Sequence, residues 1–152
     1  MKVERGAVPD LLAEYAARLD LGQYDEWLGL FAAECTYQVI PRENYDRGLP
    51  AGLIFCDSRA MLEDRIMALQ TANKYNIHTD RHLIGLPRLL GDGLDLEAPF
   101  AVYQTDQEGD TRLFATGLYR DRLEARGSTL KIRDKLVLLD TFAIPTLLAT
   151  PL

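Results

Sequence analysis

The stretch PFAVYQTDQEGDTRLFATGLYRDRLEARGSTLKIRDKLVLL, residues 99–139, decides the fold. Apolar residues alternate with polar ones at a period of two, and Glu108-Gly109-Asp110 supplies a turn between two such runs. With the preceding run 82–90 and the turn Gly91-Asp92-Gly93, four strands are predicted, at 82–90, 99–107, 111–122 and 130–139, joined as hairpins. In the last of them strict alternation places Leu130, Ile132, Leu136 and Leu138 on one face together with Asp134, and Lys131, Arg133 and Lys135 on the other.

Upstream the period is 3.6. Leu11, Leu12, Tyr15 and Leu19 follow Pro9-Asp10 as one helix face, and Tyr24, Trp27, Leu28 and Phe31 form a second within 23–33. CTYQVI (35–40) alternates and stops at Pro41, so a strand is predicted there, followed by an exposed loop over 42–52 and a short strand at 53–56. Asp57 and Ser58 suit the cap of a third helix reaching to about residue 73, with Met61, Leu62, Ile66, Leu69 and the stem of Arg65 on its apolar face. Helices first and strands afterwards predict an α+β domain, three helices packed on the concave side of a curved antiparallel sheet.

With 152 residues, 47% of them hydrophobic, the chain is sized for a single domain, 1–152, with an ordered core. The net charge of −6 opposes a nucleic-acid partner. No apolar run is long enough to span a bilayer and the first ten residues lack a signal-peptide layout, so a cytoplasmic protein without a membrane partner is expected. Cys35 and Cys56 stand in apolar stretches and read as free, buried thiols.

Metal-ligand spacing is absent: the two cysteines are far apart, and His78-Thr79-Asp80-Arg81-His82 lacks the Glu of a zinc-protease helix and runs into a strand. No metal and no cofactor are expected in this chain. Asp20, ending the first helix, and His82, opening the strand series, would both project between helices and sheet. Such a pair serves either proton transfer or structure. Arg42, Glu43, Asn44 and Tyr45, and further on Asp64 and Arg65, are dense in charge beside aromatics. Either a solvated face or a subunit contact accounts for them. The apolar final stretch, with Ile144, Leu147 and Leu152, calls for packing against the chain's own sheet or another subunit.

The ordered series Glu26-Trp27…Phe31, Tyr37, Pro41-Arg42-Glu43-Asn44, Asp57-Ser58…Met61-Leu62…Asp64-Arg65, Arg81-His82-Leu83-Ile84 and Ile144-Pro145-Thr146-Leu147…Pro151-Leu152 resembles the small (beta) subunit of Rieske-type aromatic-ring-hydroxylating dioxygenases over nearly the whole chain. The resemblance implies the cone-shaped α+β fold of nuclear transport factor 2 and scytalone dehydratase. It also implies a non-catalytic role in an α3β3 hexamer with beta–beta contacts. The alpha subunit would then carry the Rieske [2Fe–2S] cluster and a mononuclear non-haem iron, fed with NAD(P)H electrons through a reductase. Gly48-Leu49-Pro50-Ala51-Gly52 and Arg81 to Pro87 look most like the terephthalate dioxygenase and salicylate 5-hydroxylase branch, which implies a carboxylated ring. Under this reading Arg42, Glu43, Asn44, Tyr45, Asp64, Arg65, Ile144, Leu147 and Leu152 make subunit contacts and no residue is catalytic. Two alternatives stand beside it: a stand-alone dehydratase or isomerase of the same fold using Asp20 and His82, and a non-enzymatic small-ligand-binding module.

Overall fold

In the computed structural model residues 6–49, 52–72, 77–140 and 151–152 are described, the side chain of residue 72 excepted. Among the described residues four helices, α1 (Ala7–Asp20), α2 (Tyr24–Leu28), α3 (Arg42–Asp46) and α4 (Arg59–Ala72), accompany seven strands. The strands are β1 (Phe31–Pro41), β2 (Ile54–Cys56), β3 (Thr79–Ile84), β4 (Arg88–Leu90), β5 (Asp95–Thr105), β6 (Thr111–Arg126) and β7 (Thr129–Leu139). They form one sheet of order β2-β1-β7-β6-β5-β3, with β4 also paired to β5. The α+β class read from the sequence is the one observed.

Several boundaries differ from the sequence reading, for local reasons. The second helix ends at Leu28: the Gly29 N–H closes its last turn on Asp25, and Phe31 already belongs to β1. The loop expected over 42–52 begins with the single turn of α3, capped by the N–H groups of Arg47 and Gly48 on the carbonyls of Glu43 and Tyr45. The strand expected over 82–90 is broken at Gly85-Leu86-Pro87, where Pro87 has no N–H to donate; both pieces pair with β5. The sheet is mixed rather than wholly antiparallel, because β1 and β7 run parallel.

Alternation fails most instructively in β7. Opposite Arg122 and Leu123 stand Asp134 and Ile132, so Arg133 is an extra residue, a β-bulge that shifts everything after it by one. Leu130 and Ile132 face the core as expected, but beyond the bulge the inward residues are Lys135, Val137 and Leu139. Lys135, expected on the outer face, is buried. Asp134, expected among the apolar side chains, instead takes a hydrogen bond from Thr36 Oγ1 at 2.8 Å. Further irregularities lie between Phe31 and Thr36 in β1 and at Phe114 in β6, the extra residue opposite Val102 and Tyr103, and such bulges bend a sheet.

Helix α1 lies against β3 and β7, and α4 against β1 and β2. Between them and the sheet sits an aromatic core: Tyr15, Trp27, Phe31 and Tyr37 meet with ring centroids 4.8–6.5 Å apart. Phe100 stacks on Tyr119 at 4.3 Å. That stack requires Gly117, where a Cβ would lie 2.0 Å from the Leu138 carbonyl oxygen and 3.0 Å from the Phe100 ring. The Met61 N–H donates to Ser58 Oγ, the cap expected for α4. Among the described residues no helix is long and apolar enough to cross a membrane.

Candidate functional site

Three polar arrangements occupy the space between helices and sheet. The first joins the two residues singled out in the sequence. Asp20 at the end of α1 accepts the His82 main-chain N–H at 3.0 and 3.2 Å through its two oxygens, and its Oδ1 lies 2.6 Å from His82 Nδ1. A carboxylate there fixes the proton on Nδ1 and leaves Nε2 as the free ring nitrogen. Nε2 is buried and has no hydrogen-bond partner. Proton transfer to a ligand needs that atom to be reachable, yet the His82 side chain is 0% exposed. Within the chain the pair ties the edge strand β3 to α1, through both the N–H and the ring of His82. A mostly apolar groove of about 300 Å³ has His82 itself in its wall, together with Leu12, Ala16, Ile84 and Leu86.

The second arrangement was not legible in the sequence. Lys135 Nζ lies 2.8 Å from Asp121 Oδ2, with both side chains 0% exposed. The same ammonium sits 4.1 Å from the Tyr15 ring centroid and 3.7 Å from that of Tyr119, in cation–π geometry. Burial pushes the Asp121 carboxyl up against the pull of Lys135, and pushes the Lys135 ammonium down against the pull of Asp121.

Leu152 makes the third. It is 1% exposed, inside the chain's own core rather than on a surface open to another subunit. Tyr15 Oη donates to its carbonyl at 2.5 Å and Tyr37 Oη at 3.1 Å, while its own N–H donates to Tyr37 Oη at 2.9 Å. Burial holds the phenols of Tyr15, Tyr37 and Tyr119 well above the usual range. Ile144 and Leu147 lie outside the described residues.

The other residues singled out for subunit contacts fall on two helices. Arg42, Glu43, Asn44 and Tyr45 make up most of α3, where Arg42 pairs with Asp140 at 2.7 Å, Glu43 pairs with Arg47 at 2.8 Å, and the Arg120 guanidinium covers Tyr45. On α4, Asp64 is exposed, whereas Arg65 is half-buried and lowers the pull of burial on Tyr37 and Cys56. Cys35 and Cys56 are buried free thiols, pushed up by desolvation. Neither suits a metal, which binds thiolate, and His82 Nδ1 is already engaged. Among the described residues the one close group of three possible ligands is exposed Asp106, Glu108 and Asp110, where Asp106 Oδ1 accepts two main-chain N–H groups of its own turn. That set does not fit an iron–sulfur cluster or a histidine-held iron.

The model of the ring hydroxylating beta subunit family matches residues 14–146. The anthranilate 1,2-dioxygenase small subunit of Burkholderia cepacia is 36% identical over 141 residues, 91% of this chain and 88% of that one. Subunit beta 2 of the terminal oxygenase component of a Comamonas terephthalate 1,2-dioxygenase is 37% identical over 143 residues, 92% of this chain and 93% of that one. A solved beta subunit, assigned to an aromatic-ring-hydroxylating dioxygenase of Novosphingobium aromaticivorans, superposes with a TM-score of 0.86 at 42% identity, covering 97% of this chain and 96% of that one.

Proposed function

The chain belongs to the ring hydroxylating beta subunit family, and from that premise we propose how labour divides between it and its partner. It is the small, structural subunit of an aromatic-ring-hydroxylating dioxygenase. The oxidation itself takes place on an alpha subunit that carries the Rieske cluster and the mononuclear iron and receives NAD(P)H electrons through a reductase. The assembly is an α3β3 hexamer, and its substrate is a ring bearing a carboxylate, the chemistry named for the anthranilate and terephthalate relatives. The observation that carries the structural role is the use of Asp20 and His82. The Asp20–His82 pair, placed like a general acid–base couple, ties α1 to an edge strand, and its Nε2 is buried without a partner.

In this reading α3 and the outer side of α4 are subunit contacts. The Arg42–Asp140 pair is about half exposed on both sides, and such a pair is worth under about 1 kcal/mol to the lone chain. Covered by a partner, it would be desolvated, and removing Arg42 would then cost about 2–5 kcal/mol of association. The test is the dissociation concentration of complexes reconstituted with the alpha subunit, for Arg42→Ala and Arg65→Ala, beside the melting temperature of each chain alone. Association weakened at least about thirtyfold with the isolated fold intact supports the interface; association unchanged within about twofold in both variants removes these residues from it.

A further inference from the structure

Leu152 is held as a protein holds a small ligand. Its carbonyl receives two phenolic hydrogen bonds, at 2.5 Å from Tyr15 and 3.1 Å from Tyr37, its N–H gives one to Tyr37 at 2.9 Å, and the residue belongs to the apolar core. The Tyr37 hydroxyl acts at once as donor and acceptor toward this single residue, spanning the N–H and the oxygen that flank its Cα.

A second observation points to the same place. Among the rings that touch these tyrosines are buried polar atoms with no partner. Trp27 Nε1 is on a ring 5.6 Å from Tyr15 and 5.9 Å from Tyr37, and Tyr119 Oη is on a ring 5.7 Å from Tyr15. Asp121 Oδ1, on the carboxylate whose other oxygen holds Lys135, is the third. All three residues are fully or almost fully buried. These three leave polar capacity beside the tyrosines that the chain does not use, at about 1–3 kcal/mol each.

We propose that the aromatic interior between α1, α2 and the sheet is a binding site occupied by the chain's own Leu152. With Leu152 withdrawn it accepts a small apolar molecule that carries an N–H and a carbonyl or carboxyl oxygen on either side of one carbon, as an N-acylated amino acid or its amide does. Tyr15 and Tyr37 recognise the carbonyl oxygen, Tyr37 also accepts from an N–H or O–H, and the apolar body takes the place of the leucine side chain. The claim concerns this chain alone and stands or falls separately from its role beside an alpha subunit.

The probe is N-acetyl-leucinamide, which restores the lost side chain and amide from solution. Trp27, the single tryptophan of the sequence, reports on the site by its fluorescence. A variant lacking Pro151 and Leu152 is expected to bind the probe saturably with a Kd of about 1–10 mM, the range for a dozen-atom ligand of ordinary efficiency, and to melt higher as the site fills. Adding Tyr37→Phe to that variant should weaken binding at least about fivefold. The full chain should not respond at the same concentrations. Absence of binding by the folded shortened variant overturns the proposal, as does an equal response from the full chain. Should the shortened variant not fold, Leu152→Ala keeps the main-chain bonds and opens only the side-chain space. Isobutanol should then raise its melting temperature saturably and leave that of the full chain unmoved, and identical responses overturn the proposal.

Discussion

Replacing Lys135 by methionine, which preserves length and removes the charge, tests the electrostatics of the interior. At the observed 2.8 Å, two unit charges attract by about 6 kcal/mol at an effective dielectric of about 20. Withdrawing each ion from water costs several kcal/mol, so the pair as a whole nearly breaks even against apolar residues of the same volume. The consequence is an asymmetry between single and double replacement. Lys135→Met leaves Asp121 buried without its partner, and Tyr15 and Tyr119 without the ammonium between them. The expected loss is about 3–5 kcal/mol, or about 6–20 °C in Tm for a chain of this size. Lys135→Met combined with Asp121→Leu should recover to within about 1 kcal/mol of the unaltered protein or exceed it. Urea unfolding followed by circular dichroism, with calorimetry as a second probe, measures all four corners of the cycle. A single variant that loses under about 1 kcal/mol, or a double variant no better than the single, would refute the reasoning.

Alkaline titration should separate the phenols: Tyr15, Tyr37 and Tyr119 keep in the folded state a proton that the unfolded chain releases near pH 10, so the stability they contribute is present below about pH 10 and lost above it. Absorbance at 295 nm should show these three ionising together with unfolding; ionisation of all tyrosines before unfolding contradicts their placement. Asp20→Ala should cost about 1–3 kcal/mol of stability by orphaning the His82 N–H and ring, with turnover per assembled oxygenase kept within about threefold. A loss of about a hundredfold in an intact complex would instead make the pair a catalytic couple. Cys35 and Cys56, buried and with raised thiol pKa, should resist iodoacetamide near pH 8 until the protein is denatured, which mass spectrometry of the labelled chain decides.

The sequence announced the order of elements because the two periods are strong: 3.6 through Leu12, Tyr15 and Leu19, and 2 through Phe100, Val102 and Gln104, although β5 starts four residues earlier, at Asp95, than the expected 99. It was silent on the bulge at Arg133, since an extra residue in a strand looks locally like any other polar residue. Everything dependent on that shift was hidden with it. Lys135 in the core and its bond to Asp121 follow only once the register is known. The approach of Asp20 to His82 was legible as a possibility because both residues fall at element ends facing the helix–sheet space. Whether their nitrogen was open or sealed was a matter of packing that no spacing records. Leu152 announced itself as apolar and in need of cover, and nothing in its neighbours named Tyr15 and Tyr37 as the cover.

Because β1 lies parallel to β7, the sheet cannot be finished until the ribosome has delivered its last strand. Thr36 waits for Asp134 across 98 positions. Compared with a tight hairpin, closing a loop of that length costs about 3 kcal/mol more, at about 0.6 kcal/mol per doubling. Until then β1 has only three-residue β2 along one edge, while Phe31, Cys35, Tyr37 and Val39 are already made. The nascent chain therefore spends most of its synthesis carrying a half-paired, strongly apolar strand, an adhesive edge during exactly the interval when other copies are being made nearby. Docking of the β6–β7 hairpin onto β1 is the step that retires this hazard, and a slow or paused translation of residues 111–139 would lengthen it.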